Sequence, residues 1–264
     1  MCPLDLIGVP DWRSAIIAVV LTAPWLVLLA RGRLRHRALW LIVEAAALLF
    51  PLSIAWVQVP IQQGLGVAWQ RVLSPEVISR YLVLIGMPSI VVSGLVQEVV
   101  KFALAALGLR LMRDQRGPCT GLAVGAAAGA GYGAMEAFWV ANSIFAAGFT
   151  WATVQIGGPW GLIGFIERFF TVMLHVGVSA LAGYGLAAGQ PWRYLLLAIG
   201  LHALANTSAL LLQTGRIGLL GAEGMVAVIA VAALGAALWL RNQALRQPEP
   251  AQTAPVPAEG EGGG

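Results

Sequence analysis

Residues 119–146 read CTGLAVGAAAGAGYGAMEAFWVANSIFA, and Glu136 is the one charged side chain among them. A hydrocarbon crossing needs about 20 mostly apolar residues. This stretch is long enough, so it reads as a membrane span. Gly121, Gly125, Gly129 and Gly133 recur every fourth residue and fall on one helix face, with alanine in most places between. Such a face lets another backbone approach closely. The glycines are therefore expected to pack, and the chemistry is expected at Glu136, just beyond them.

Working outward, six more runs of similar character lie at 14–30, 38–58, 80–111, 160–187, 193–213 and 217–240. The expected fold is an all-α polytopic membrane protein of about seven transmembrane helices. Composition agrees: of 264 residues 59% are hydrophobic and 11% charged, and mean hydropathy is +0.80. A soluble domain needs roughly a quarter of its residues charged to cover its surface. Soluble, disordered, collagen-like and disulfide-scaffold classes are excluded. So is nucleic-acid binding, because the basic residues sit mostly in short loops between spans rather than in one patch. Cys2 and Cys119 are too few for a disulfide framework and fall on opposite sides of the membrane.

The loops also set orientation. One side carries Arg31, Arg33, Arg35, Arg37, Arg110, Arg113, Arg116, Arg193, Arg241 and Arg246, and the other only Arg13, Arg71, Arg80 and Arg216. The N-terminus is expected outside and the C-terminus in the cytoplasm. Residues 1–246 form one integral membrane domain. Residues 247–264, rich in Pro, Ala, Glu and Gly, read as a disordered cytoplasmic tail. The segment 59–79, with Gly64, Gly66 and Ser74-Pro75, reads as an external loop with an interfacial helix.

Charged groups near the bilayer centre cost about 2.5 to 3.5 kcal/mol on insertion scales, so they face the bundle interior and need partners. This chain has Glu44, Glu98, Lys101, Glu136, Glu167, Arg168, His175, His202 and Glu223 within or at the ends of spans, with Asn206 as a neutral companion. Measured along each helix from its cytoplasmic end, Glu98, Glu136, His175, His202 and Asn206 lie roughly 14 to 26 Å deep. Four helices thus place polar groups at one level. Glu98 with Lys101, His175 with Ser179, and His202 with Asn206 each share a helix face. A Glu that takes a proton from water, a His that positions it, and Asn or His as oxyanion donor are the parts that hydrolysis needs. There is no His-Glu-x-x-His, and no thiolate at this depth. The set is compatible with zinc but does not require it.

These motifs resemble an ordered family pattern. Gln97-Glu98-Val99-Val100-Lys101, Gly129 to Ala137 ending on Glu136, Glu167-Arg168 followed by His175 and Ser179, and His202 with Asn206 look like the glutamic-type intramembrane proteases, which include the CAAX prenyl endoproteases, PrsW and YhfC. The likeness spans about residues 80–213 and is nearest to YhfC, with PrsW next. It implies a metal-independent endopeptidase of a bacterial plasma membrane, acting on a membrane protein or lipidated peptide. Glu98 is the expected general base, and Glu136, His175, His202 and Asn206 complete the catalytic set. Gln97, Lys101, Arg168 and Ser179 support it. The family's usual first Glu is replaced by Gln97, and a carboxamide has no useful basicity. That replacement leaves a non-catalytic scaffold subunit as the rival. A proton-coupled transporter and a haem held by His175 and His202 are the other two.

Overall fold

The computed structural model describes residues 9–115 and 117–246, and all regular structure among them is helical. Cys2, Arg116 and the tail beyond Arg246 lie outside the described residues. The helices are α1 Trp12–Ala30, α2 Arg37–Ser53, α3 Val59–Val72, α4 Pro75–Arg80, α5 Leu82–Leu111, α6 Pro118–Ala146, α7 Trp151–Gly157, α8 Ile163–Ala187, α9 Pro191–Gln213 and α10 Leu219–Arg246. Among the described residues, six stretches are long and apolar enough to cross a membrane: Trp12–Arg33, Arg37–Val72, Leu82–Leu111, Trp151–Ala187, Pro191–Gln213 and Leu219–Arg246. The polar and apolar faces are inverted relative to a soluble bundle. Val20, Leu41, Leu84, Leu196 and Val228 face outward, while Glu98, Lys101, His175 and His202 are buried.

α6 stands apart from those six. It has 29 residues, but its glycines and Glu136 dilute its hydropathy. It is enclosed by α1, α2, α5 and α8, so its inner surface needs small side chains more than apolar ones. Its glycine stripe meets α8 in an antiparallel pairing. A Cβ on Gly121 would collide with the carbonyl oxygen of Gly183, one on Gly125 with that of Ser179, and one on Gly129 with that of His175. Glycine in a helix costs about 1 kcal/mol relative to alanine. Here close backbone packing offsets that cost. Gly131 plays the same part against Val43 of α2, and Gly177 against Leu234 of α10.

The remaining helices wrap this pair. α9 packs on α5 and α8, and α10 on α8 and α9. Glycines with positive φ end α8 at Gly189 and α9 at Gly215, as helix C-termini favour. Between α2 and α3 the helix widens into a π turn over Ile54–Gln58. It lies between Pro51 and Pro60, neither of which can donate to the helical ladder. The wider turn takes up that defect and points Gln58 inward, where it is buried.

Residues 59–79 do contain the helix expected within them, but little of the loop: α3 and α4 take up all but Leu73 and Ser74. α3 continues the helix before it, and α4 follows with Ser74 as N-cap, its hydroxyl accepting from the Val77 amide at 3.4 Å. Extending an existing helix avoids the nucleation cost that a separate one would carry. Gln62 also ties α3 to α5, donating to the Ser89 carbonyl at 2.9 Å. Gly64 and Gly66 face open space, where they disturb nothing.

Candidate active site

Gln97 and Glu98 are neighbours on α5, and a helix turns them about 100° apart. Both are buried, but they serve different surroundings. Glu98 turns with Lys101 toward α8 and α9. Its Oε1 accepts from Lys101 Nζ at 2.5 Å and lies 2.6 Å from His202 Nδ1. Ser179 of α8 donates to its Oε2 at 3.5 Å. Gln97 turns toward α2 and α3 instead, donating from Nε2 to Gln58 Oε1 at 3.0 Å and to Ser93 Oγ at 3.1 Å.

Lys101 Nζ also lies 2.8 Å from His175 Nδ1. An ammonium has no lone pair, so His175 Nδ1 is the acceptor, and the proton of the neutral ring sits on Nε2. That nitrogen faces Glu136 Oε2 at 2.8 Å. The other carboxylate oxygen of Glu136 accepts from Arg168 Nη1 at 2.6 Å, while Arg168 also grips Glu167 with Nε and Nη2. By the same reasoning His202 donates its Nδ1 proton to Glu98, leaving Nε2 as its lone-pair nitrogen. Hydrogen bonds thus run without a break from Arg168 through Glu136, His175, Lys101 and Glu98 to His202. Beneath them, the Tyr132 ring lies 5.2 Å from the Lys101 ammonium, and its hydroxyl meets Ser53 Oγ at 2.8 Å.

A cavity of about 290 Å³ opens beside this chain. Its polar lining includes Gln58, Ser93, Gln97, Glu136, His175, His202 and Asn206, and its apolar lining includes Phe50, Ile54, Trp139 and Leu174. Glu136 is on this wall and Glu98 is outside it. The Glu136 side chain keeps 17% of its surface exposed, whereas Glu98 and Lys101 keep none. Of the two central carboxylates, Glu136 is the one that reaches the cavity.

The structure brings Glu98, Lys101, Glu136, Arg168, His175 and His202 into one network, with Ser179 at its edge. Asn206 touches neither histidine nor carboxylate through a hydrogen bond given by this geometry; it donates to Ser93 Oγ at 3.1 Å. Glu44 is exposed on α2, and Glu223 on α10 belongs to neither wall. The rings of His175 and His202 meet edge to face with centroids 5.1 Å apart, too close for a porphyrin between them. Gln58, Ser93 and Tyr132 escaped the sequence reading. Ser93 was legible as the residue one turn before Gln97, but Gln58 lay in a segment read as leading to a loop.

Residues 159–230 match the family model described as YhfC intramembrane metalloprotease. The resemblance to YhfC drawn from the motifs is thus shown over that stretch, which holds Glu167, Arg168, His175, Ser179, His202 and Asn206. Glu98, Lys101 and Glu136 precede it and join it through the contacts above. No curated protein and no solved structure matches the chain. The match supports an integral membrane peptidase.

The family's description implies a metal, and the donors here suit one. Glu98, His175 and His202 each offer a ligand atom, all within 4.8 Å of one another. Two imidazoles and a carboxylate form a donor set that zinc accepts. The place is already built for positive charge, since the Lys101 ammonium stands between Glu98 and His175. The residues fit a metal that takes the ammonium's place.

Proposed function

We propose that this chain is an intramembrane endopeptidase that hydrolyses a peptide bond of a membrane-embedded or membrane-proximal substrate with water activated by Glu136. Its substrate is a membrane protein or lipidated peptide. The chain sits in a bacterial plasma membrane with α6 as a seventh crossing, its N-terminus outside and its C-terminus cytoplasmic. The observation that carries the reading is the position of Glu136: a carboxylate on a cavity wall, held on one side by Arg168 and on the other by His175.

Each Glu136 oxygen retains a lone pair beyond those two contacts. Water in the cavity gives its proton to Glu136 as its oxygen adds to the scissile carbonyl carbon. Glu136 then returns the proton to the departing amine nitrogen as the C–N bond breaks. Arg168 and His175 keep the carboxylate in place through both transfers. Asn206 on the same wall is the donor for the carbonyl oxygen's growing charge, and the lone pair of His202 Nε2 can accept from the attacking water. Glu98, enclosed by Lys101, His202 and Ser179, anchors His202 directly and His175 through Lys101. A zinc ion held by Glu98, His175 and His202 would polarise the carbonyl or acidify the water.

The test is cleavage of a panel of single-span reporter peptides co-reconstituted with the full chain in lipid vesicles. Cleavage by the natural sequence, lost in Glu136→Gln and His175→Ala at equal folded yield, is expected. Equal cleavage by both variants would remove these residues from the chemistry. A folded protein that cuts none of the panel would favour the scaffold reading.

A further inference from the structure

We propose that Gln97, with Gln58, Ser93 and Asn206, forms a subsite that binds the main chain of an unwound peptide, Gln97 Oε1 accepting a hydrogen bond from one of its N–H groups. The occupant's identity rests on the peptidase reading above. The subsite itself rests on a separate observation.

Gln97 is 6% exposed and lines the cavity. Its amide nitrogen is fully used, with Gln58 Oε1 at 3.0 Å and Ser93 Oγ at 3.1 Å. Its Oε1 is buried and has no hydrogen-bond partner among the described residues. A buried acceptor left unmatched costs about 1 to 3 kcal/mol. The surrounding contacts fix the side chain so that this acceptor is the group left to offer. Asn206 braces the same Ser93 hydroxyl from α9 at 3.1 Å, and Gln58 is held inward by the π turn. Three helical segments thus cooperate to hold one carbonyl oxygen at a cavity.

The chemistry of this wall selects a neutral, bifunctional ligand. Gln58, Ser93, Gln97 and Asn206 carry no charge and present both donors and acceptors, as a peptide group does. Glu136 and the histidines, which belong to the charged network, line the same cavity. A peptide helix in lipid satisfies its own N–H and C=O groups, and unwinding it frees them at a cost of several kcal/mol each unless something replaces the lost partners. A peptide bond must be unwound before water reaches its carbonyl carbon. Carboxamides lining the same cavity as the water-activating carboxylate supply those replacement partners, with Phe50, Ile54, Trp139 and Leu174 to receive an apolar side chain. On this account Gln97 binds substrate at the position where the resembling families carry a carboxylate.

The experiment measures binding apart from cleavage. The full chain carrying Glu136→Gln in lipid nanodiscs is titrated with a fluorescent acetyl-Leu-Ala-Leu-Leu-Ala amide and with its five single N-methylated analogues, and empty nanodiscs are subtracted. N-methylation removes one N–H at a time. One analogue is expected to bind about tenfold more weakly, and the loss should vanish when Gln97→Met is added. All analogues binding within about twofold of the parent, the same loss persisting in Gln97→Met, or no saturable binding by the set would each overturn the subsite. Should Gln97→Met fail to fold, the scan on the chain with Gln97 still decides, because a subsite with one acceptor must single out one position. The two proposals fail separately. N-methyl-sensitive binding without cleavage by the natural sequence defeats the peptidase reading alone, and cleavage indifferent to Gln97 and to N-methylation defeats the subsite alone.

Discussion

Glu136 Oε2 of α6 and His175 Nε2 of α8 meet at 2.8 Å, and they do so because the glycines one and two turns before Glu136 let the two backbones touch. Gly129 lies against the His175 carbonyl, and a Cβ on Gly133 would stand 3.3 Å from the His175 Cβ. The packing stripe and the polar site are one construction.

Gly129→Ala and Gly125→Ala should each lower stability by about 1 to 3 kcal/mol, because backbone rather than a movable side chain is what the methyl meets. They should also lower cleavage by widening the Glu136 to His175 distance. Gly235→Ala is the control: nothing lies within 4 Å of its Cβ, so it should be neutral or gain up to about 1 kcal/mol of helix propensity. Denaturant unfolding in micelles reads all three.

Glu136→Gln and Glu98→Gln should separate by what they damage. Removing a positioned general base typically costs about 10²- to 10⁴-fold in rate, and Glu136→Gln should show that loss with little change in unfolding. Glu98→Gln should unfold more easily, since it leaves the fully enclosed Lys101 ammonium without its carboxylate. Turnover and unfolding midpoints, measured on the same preparations, distinguish them.

Lys101→Met isolates the buried ion pair from the other side. Leaving Glu98 charged and enclosed should cost about 3 to 5 kcal/mol, and adding Glu98→Gln should restore most of it. Unfolding of the single and double variants closes the cycle.

The same lysine should govern metal binding. With the ammonium gone and Glu98, His175 and His202 intact, Lys101→Met should take up Co(II) or Zn(II) about tenfold more tightly than the natural sequence. His202→Ala should abolish that gain. Calorimetric titration of the metal into chelator-stripped protein measures both.

At the start of α1, acid should loosen the first turn. The Arg13 side chain, hydrogen-bonded to Asp11 through Nε at 3.0 Å and Nη2 at 2.6 Å, holds the Asp11 carboxyl below its ordinary value of 3.8. A depressed folded value means the contact's contribution is present above the unfolded value and is lost as pH falls through the folded one. Hydrogen exchange at the Arg13 amide, which donates to Asp11 Oδ1 at 2.9 Å, should therefore depart from its ordinary pH dependence below about pH 3.8. Asp11→Asn, which keeps the cap without the charge, should not show this departure.

Much of this molecule was legible before any coordinates. The ends of α1, α6 and α9 fall within a few residues of the runs read from hydropathy, because lipid imposes a length and a composition that a single helix must satisfy by itself. The convergence of Glu98, Glu136, His175 and His202 was readable for the same reason, since height in the bundle follows from position along one helix. At 59–79 the expected helix is present but the loop around it shrinks where a neighbour intervenes: glycines that end an isolated helix are tolerated in α3 because the π turn and the Gln62 tether already hold it.

The sequence by itself placed carboxylates, imidazoles and a lone lysine at matching positions along apolar helices, and marked their similarity to YhfC. Only the tertiary structure decided that Glu136 rather than Glu98 reaches the cavity, that Lys101 stands between Glu98 and His175, and that Gln97 joins Gln58. Those outcomes depend on how far each helix is rotated about its axis against its neighbours. That rotation comes from glycine contacts and a π turn acting across helices, and no single helix carries it in its own periodicity.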